Sequence, residues 1–209
     1  MGRNVNMYED LKIGVLELQG DFAEHSAMLG RLGAHAVPIR SVEHLVGIDG
    51  VIIPGGESTT IGKLLRDWDI LPTLKKMIAD GLACFGTCAG CILMAKDVTG
   101  YDTLPRLGTM DVTVTRNAYG SQVDSFETDV LSEFWKGEKL HAINIRAPSI
   151  DAVGEGVQIL ASFGEKAVLV RENNMIACTF HPELTDDTRV HELYLEVVRE
   201  SKNTEALKN

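Results

Sequence analysis

The chain is poor in positive charge and has no long apolar run. Its 20 lysines and arginines face 30 aspartates and glutamates, for a formal net charge of −10. A surplus of negative charge repels phosphates, which excludes nucleic acid as the expected partner. It favours solubility and says nothing about fold. No apolar stretch approaches the roughly 20 residues that cross a bilayer as a helix, so no membrane role is expected. Residues 1–10 lack the apolar core of a secretion signal. Asn6 stands where a myristoylation motif requires Ser or Thr. The expectation is a loose leader over 1–10 with Met7 as an alternative start, one domain over 11–202, a tail over 203–209, and a cytoplasmic location. Internal repeats, linkers and low-complexity tracts are also absent. What is present is a chain of 209 residues with 44% apolar content, enough for one domain that buries roughly 70% of its unfolded surface.

The first chemical signal is Gly86-Thr87-Cys88-Ala89-Gly90, between the apolar run Leu82-Ala83-Cys84-Phe85 and the helix-like Cys91-Ile92-Leu93-Met94-Ala95-Lys96. A nucleophile flanked by glycines, where a strand turns into a helix, is a nucleophile elbow. The glycines permit the tight turn. The helix N-terminus favours a thiolate at Cys88, and the Ala89 N–H is free to hold an oxyanion. The second signal is Met175–Phe180, which reads as a strand running into His181-Pro182-Glu183. A thiol nucleophile needs a base, and the base needs an orienting carboxylate. His181 and Glu183 lie two apart and would share a face of an extended strand, with Pro182 biasing His181 toward that shape.

The four cysteines admit other readings. Cys84, Cys88 and Cys91 have the C-x3-C-x2-C spacing of radical-enzyme clusters, but Cys84 falls in a strand and Cys91 in a helix, whereas cluster ligands must converge. Cys88-Ala89-Gly90-Cys91 also matches a thioredoxin-like redox motif. Otherwise Cys84 and Cys178 are small core residues and Cys91 fills a helix position. Pro54-Gly55-Gly56-Glu57-Ser58-Thr59-Thr60-Ile61-Gly62-Lys63-Leu64 invites a phosphate-loop reading, which fails on detail. Five residues separate Gly56 from Gly62, and Leu64 replaces the Ser/Thr that would hold magnesium. The segment reads as a tight turn with Ser58 as helix N-cap. Its Gly-Gly pair would let a second oxyanion N–H, that of Gly56, approach a substrate.

Strands are expected at Lys12–Leu18, His35–Ile39, Gly50–Ile53 and Leu82–Phe85, with helices at Phe22–Leu32, Thr59–Asp67 and Leu74–Ala79 among them. Alternation of this kind implies an α/β fold with an open, mostly parallel sheet and helices on both faces, of flavodoxin-like type. From about Thr109 the chain reads as strands with short links, at Val112–Val114, His141–Ile145, Val157–Ser162, Ala167–Val170 and Met175–Phe180. A helix at Asp187–Glu200 closes it. Ligand should bind at the carboxyl ends of the parallel strands, where Gly56, Cys88 and His181 fall.

These motifs carry a resemblance. The elbow and His181-Pro182-Glu183 resemble the triad of class I glutamine amidotransferases. Pro54-Gly55-Gly56-Glu57-Ser58-Thr59-Thr60, Arg116-Asn117-Ala118-Tyr119-Gly120, Asp124-Ser125-Phe126-Glu127 and Ile145-Arg146-Ala147-Pro148 are similar, more narrowly, to the glutaminase subunits of pyridoxal 5′-phosphate synthases. The resemblance spans about residues 12–200. It implies a catalytic triad of Cys88, His181 and Glu183. It further implies an oxyanion hole and glutamine pocket drawn from Gly55, Gly56, Glu57, Ser58, Ala89, Arg116, Ile145 and Arg146. L-glutamine would be the substrate, a separate synthase subunit in a hetero-oligomer would take the ammonia, and no metal or organic cofactor is called for. Ser121 stands where that family commonly has arginine. Two alternatives remain open: an amidotransferase subunit feeding another pathway, and a non-catalytic cysteine-based binding or redox module of the same fold. Activity is expected to depend on the partner, with the flexible Gly55-Gly56 peptide as the switch.

Overall fold

The computed structural model describes residues 7–118 and 125–206. The first half alternates strand and helix: β1 (Lys12–Leu16), α1 (Phe22–Leu32), β2 (His35–Ile39), β3 (Gly50–Ile53), α2 (Ser58–Asp67), α3 (Ile70–Ala79), β4 (Ala83–Thr87) and α4 (Ala89–Met94). The second half is strand-rich: β5 (Ala95–Val98), β6 (Met110–Thr115), β7 (Ser125–Ser132), β8 (Glu138–Ile145), β9 (Ser149–Val153), β10 (Gln158–Phe163), β11 (Lys166–Glu172) and β12 (Met175–Cys178). Helix α5 (Arg189–Ala206) follows. The strands form one sheet in the order β2-β1-β3-β4-β12-β11-β10-β7-β8, with β5, β6 and β9 branching from it beside β11. From β2 to β12 every pairing is parallel. This is the open α/β sheet that the alternation foretold. From β12 to β8 the pairings are antiparallel, as the short links after Thr109 permit.

Central strands buried on both faces explain the near-continuous apolar runs. On β3, Val51 and Ile53 join the core layer that holds Ile61 and Leu65 of α2 and Leu74 of α3, while Ile52 joins the other. That second layer contains Phe85 of β4, Leu29 of α1, and Val190, Tyr194 and Val198 of α5. Truncating such a buried aromatic as Phe85 to alanine typically costs about 3–5 kcal/mol.

Several expectations need correction. Helix α4 stops at Met94 and does not continue to Lys96, because the Leu93 carbonyl accepts the Leu107 and Gly108 N–H groups and the Met94 carbonyl accepts that of Thr109. These bonds start β5. Strands β7 and β9 were not foreseen. Helix α3 begins at Ile70, before Pro72, which sits in the first turn where its missing N–H has no intrahelical acceptor to lose. Ser58 is not the N-cap of α2; Glu57 is, its carboxylate accepting the Thr60 N–H at 2.8 Å. Tyr8, expected in a loose leader, is 5% exposed, and its hydroxyl donates to Glu196 at 2.7 Å. Helix α5 runs past residue 202 to Ala206. Ser121, together with Tyr119, Gly120 and Gln122–Asp124, lies outside the described residues. Among the described residues no helix is long and apolar enough to cross a membrane.

Candidate active site

Parallel register brings the sequence motifs to one edge. Ile53 pairs with Gly86 and Cys178 pairs with Thr87, so the chain leaves β3, β4 and β12 side by side at their carboxyl ends. Beyond those ends lie Gly55-Gly56, Cys88 and His181. Cys88 has φ 46° and ψ −99°, a strained backbone for a residue with a side chain. Its N–H is tied to the Cys178 carbonyl at 2.9 Å. The glycines around it serve close approach rather than unusual φ. A Cβ on Gly86 would come within 2.6 Å of the Gly90 backbone, and one on Gly90 within 2.1 Å of the Ile53 carbonyl oxygen. The Cys88 thiol lies 3.8 Å from the Ile145 carbonyl oxygen.

His181 and Glu183 meet through a turn and not along a strand. Strand β12 ends at Cys178, and Pro182–Leu184 form a single 3-10 turn with proline in its first positions. The turn carries Glu183 back under the imidazole, where its Oε1 is 2.7 Å from His181 Nδ1. Both side chains are buried. A second carboxylate also reaches that nitrogen: Asp21 Oδ2 lies 3.3 Å from Nδ1. Burial opposes a charge on the ring, yet Asp21, Cys88 and Glu183 together outweigh it and raise the His181 pKa above its ordinary 6.5. Burial likewise raises the Glu183 pKa, against the pull of His181. His181 Nε2 is buried and has no hydrogen-bond partner. With Nδ1 committed to carboxylates, Nε2 is the nitrogen left to exchange a proton with Cys88.

The Gly55-Gly56 loop is held from three sides. Gly55 N–H donates to Thr87 Oγ1 at 3.0 Å, the Gly55 carbonyl accepts the Asp21 N–H at 3.1 Å, and Glu57 N–H donates to Gln19 Oε1 at 2.7 Å. Gly56 has φ 150°, in the range that glycine tolerates best, and a Cβ there would lie 2.5 Å from Gln19 Oε1. In a trans peptide the N–H of Gly56 points opposite to the Gly55 carbonyl, away from the Asp21 N–H.

The expected glutamine contacts divide into two groups. Arg116 is already engaged: it donates to Glu57 Oε1 at 2.9 Å and Thr59 Oγ1 at 3.2 Å, and stacks over the Tyr101 ring at 4.3 Å. Arg146 is exposed, on a left-handed backbone with φ 44°. Ser58 is buried at the start of α2, and Ala89 opens α4 directly after Cys88. Ile145 reaches the thiol through its carbonyl. The sequence reading missed Asp21, Gln19 and Thr87. The available signal was position, since Gln19-Gly20-Asp21 follows β1 at the same sheet edge.

All four cysteines are free thiols. Burial, with the Cys88 charge adding to it, pushes the Cys91 thiol up to about 12, and burial raises the Cys84 and Cys178 thiols as well. Those three thiols are therefore poor nucleophiles. The one group of ligand-type side chains that converges among the described residues is Asp21, His181 and Glu183, so the three cysteines of the cluster spacing do not gather as ligands. The arrangement would suit acyl transfer: a thiol on a strained backbone, an imidazole with one free nitrogen, a buried carboxylate, and backbone N–H groups nearby.

Comparison with known proteins agrees with this chemistry. The model of the "SNO glutamine amidotransferase family" matches residues 15–200. The chain belongs to that family. A curated relative in Carboxydothermus hydrogenoformans, named "Pyridoxal 5'-phosphate synthase subunit PdxT", is 51% identical over 188 residues, covering 90% of this chain and 98% of that protein. A relative of the same name in Thermus thermophilus is 50% identical, covering 88% of this chain and 96% of that protein. A crystal structure described as a glutamine amidotransferase superposes with a TM-score of 0.85 at 50% identity, over 89% of this chain and 98% of its own. A glutamine amidotransferase from Thermotoga maritima, at 12% identity and a TM-score of 0.58 over 92% of this chain and 85% of its own, shares the family's fold.

Proposed function

We propose that this amidotransferase is the glutaminase subunit of a pyridoxal 5′-phosphate synthase, with Cys88, His181 and Glu183 as its triad. The observation that carries the reading is the His181 ring, with Nδ1 held at 2.7 Å by Glu183 and a buried, unpartnered Nε2 beside the elbow cysteine. Near-full-length relatives at about half identity bear that subunit's name. His181 Nε2 takes the thiol proton as Cys88 Sγ attacks the side-chain amide carbon of L-glutamine. The oxyanion rests on the N–H groups of Gly56 and Ala89. The imidazolium, held by Glu183 and flanked by Asp21, returns its proton to the amide nitrogen, and ammonia leaves. The γ-glutamyl thioester is then hydrolysed by a water that His181 deprotonates, which frees glutamate and restores the thiol.

Glutamine's carboxylate and ammonium require charged partners. The exposed residue Arg146 and the Arg116–Glu57 pair are the charged groups we assign to those partners. Free ammonia in water near neutral pH would be protonated and lose its nucleophilicity, so the glutaminase delivers it within a complex to the synthase subunit. Free thiols throughout suit a cytoplasmic location. The test is Cys88→Ala in the assembled complex. Glutamine hydrolysis is expected to vanish, and retained turnover above about 1% of wild type would overturn the assignment, because loss of a nucleophile costs far more.

A further inference from the structure

Three buried polar side chains lie behind the triad and take no part in the chemistry above: Thr87 at the end of β4, His25 on α1 and His191 on α5. All three are 0% exposed. At that depth an unpaired polar group is costly, and these groups are chained together. His191 Nε2 lies 3.0 Å from His25 Nδ1. His25 Nε2 lies 3.1 Å from Thr87 Oγ1 and 3.6 Å from Glu183 Oε2. Thr87 Oγ1 in turn accepts the Gly55 N–H at 3.0 Å. One imidazole thus stands between the triad carboxylate and the loop that carries Gly56.

The protons follow from counting donors. Burial above all, with His191 and His181 close by, pushes His25 well below its ordinary pKa, and burial with Arg31 holds His191 at about 3. Each ring is therefore neutral and carries one N–H. In one arrangement Thr87 donates to His25 Nε2 and His25 Nδ1 donates to His191 Nε2. His191 is then left with a buried N–H at Nδ1, an atom that has no partner, and a lone pair of His25 faces the Glu183 carboxylate. In the other, His191 Nε2 donates to His25 Nδ1, and the His25 Nε2–H donates to Thr87 Oγ1 with Glu183 Oε2 also near that nitrogen at 3.6 Å. This leaves a bare acceptor at His191 Nδ1 and the Thr87 hydroxyl proton, which turns about its C–O bond, in place of a fixed buried ring N–H. It also sets a positive edge toward Glu183 Oε2, which has no hydrogen-bond partner of its own. Electrostatics favours the second arrangement.

We propose that His25 is a positioning residue for glutamine hydrolysis, fixed by His191 as the Nε2–H tautomer so that one N–H aligns Thr87, the Gly55-Gly56 loop and Glu183 together. The proposal rests on the glutaminase reading above. His25 touches no substrate atom and acts through Thr87 and Glu183. Because it sets groups that matter in the transition state, its loss lowers kcat and spares KM.

The experiment uses the complex with the synthase subunit and two substitutions. Misaligning an oxyanion donor forfeits part of the 10²–10³-fold that a whole donor is worth, so His25→Leu should lower kcat at least about tenfold while KM for glutamine stays within about threefold. His25→Gln, whose amide nitrogen can replace the Nε2–H donor, should recover most of that loss. Nitrogen-15 NMR of the histidine-labelled wild-type chain should show His25 neutral with its proton on Nε2. This readout needs no activity and no variant that folds. A wild-type complex that fails to hydrolyse glutamine would count against the glutaminase reading, with the tautomer still deciding the proton arrangement. An active wild type with full kcat in His25→Leu overturns the proposal. So does a folded His25→Gln no better than His25→Leu, or a proton found on Nδ1.

Discussion

Gly55→Ala asks whether the loop and the base are built to touch. A Cβ added at Gly55 would lie 2.3 Å from His181 Cε1 and 2.9 Å from both His181 Nδ1 and Asp21 Oδ2. Carbon atoms in contact settle near 3.5 Å, so ring and loop must part by about 1 Å. Neither can yield freely. The ring is held at Nδ1 by Glu183, and its backbone N–H donates to the Ile143 carbonyl at 2.9 Å. The loop is held through Thr87 and Asp21. Overpacking of this size destabilises by about 1–3 kcal/mol, which a domain of this size survives. A misplacement of about 1 Å at a catalytic group costs on the order of a hundredfold in rate. We therefore expect a folded protein, with its melting temperature lowered by several degrees and kcat in the complex reduced about a hundredfold. The assay is steady-state glutamate release together with thermal unfolding of the same preparation. Wild-type kcat in Gly55→Ala would refute the reasoning.

Other expectations follow from the same contacts. Glu183→Gln removes the charge that fixes His181 Nδ1 and should lower kcat by about 10³–10⁴, with Asp21 supplying what remains of the ring's orientation; unchanged turnover would contradict the triad. His191 titrates at about 3 in the folded chain, against an ordinary value of 6.5. The unfolded chain thus binds a proton that the folded chain refuses, and this contribution to stability is complete above 6.5 and is lost as pH falls toward 3. In urea unfolding across that range, His191→Phe should show a shallower acid loss of stability than wild type. The isolated subunit should hydrolyse glutamine about 10²–10³-fold more slowly than the complex if one oxyanion donor is supplied on docking. Turning the Gly55-Gly56 peptide breaks only the Asp21 N–H bond to the Gly55 carbonyl, a net cost of about 1 kcal/mol. Equal rates with and without the synthase subunit would overturn that switch.

The parts legible in the sequence were those that a local pattern dictates. Strands β1, β3 and β4 are short apolar runs that include glycine, and they stack in parallel because helices connect them. The elbow announces itself by two glycines that cannot carry a Cβ. Strand β7 did not show, because Glu127, Thr128 and Asp129 alternate on a sheet extension with little apolar signal. Strand β5 hid inside the apolar run after Cys88, where only bonds from Leu107 to Thr109 end the helix. Within the site, His181-Pro182-Glu183 was readable by its spacing, although a turn and not an extended strand joins its ends. Asp21, Thr87 and the His25–His191 pair were not, because each is a single polar residue on its own element. Only the tertiary fold brings α1, α5 and β4 together.

The central claim is that Cys88 carries the acyl group, and covalent labelling tests it most directly. The complex is treated with a glutamine-analogue electrophile and the modified peptide is read by mass spectrometry. The account predicts one adduct per chain, on Cys88, suppressed by excess glutamine and absent from Cys88→Ala. An adduct on Cys91 or Cys178, or none on Cys88 while glutamine is still being hydrolysed, would contradict it.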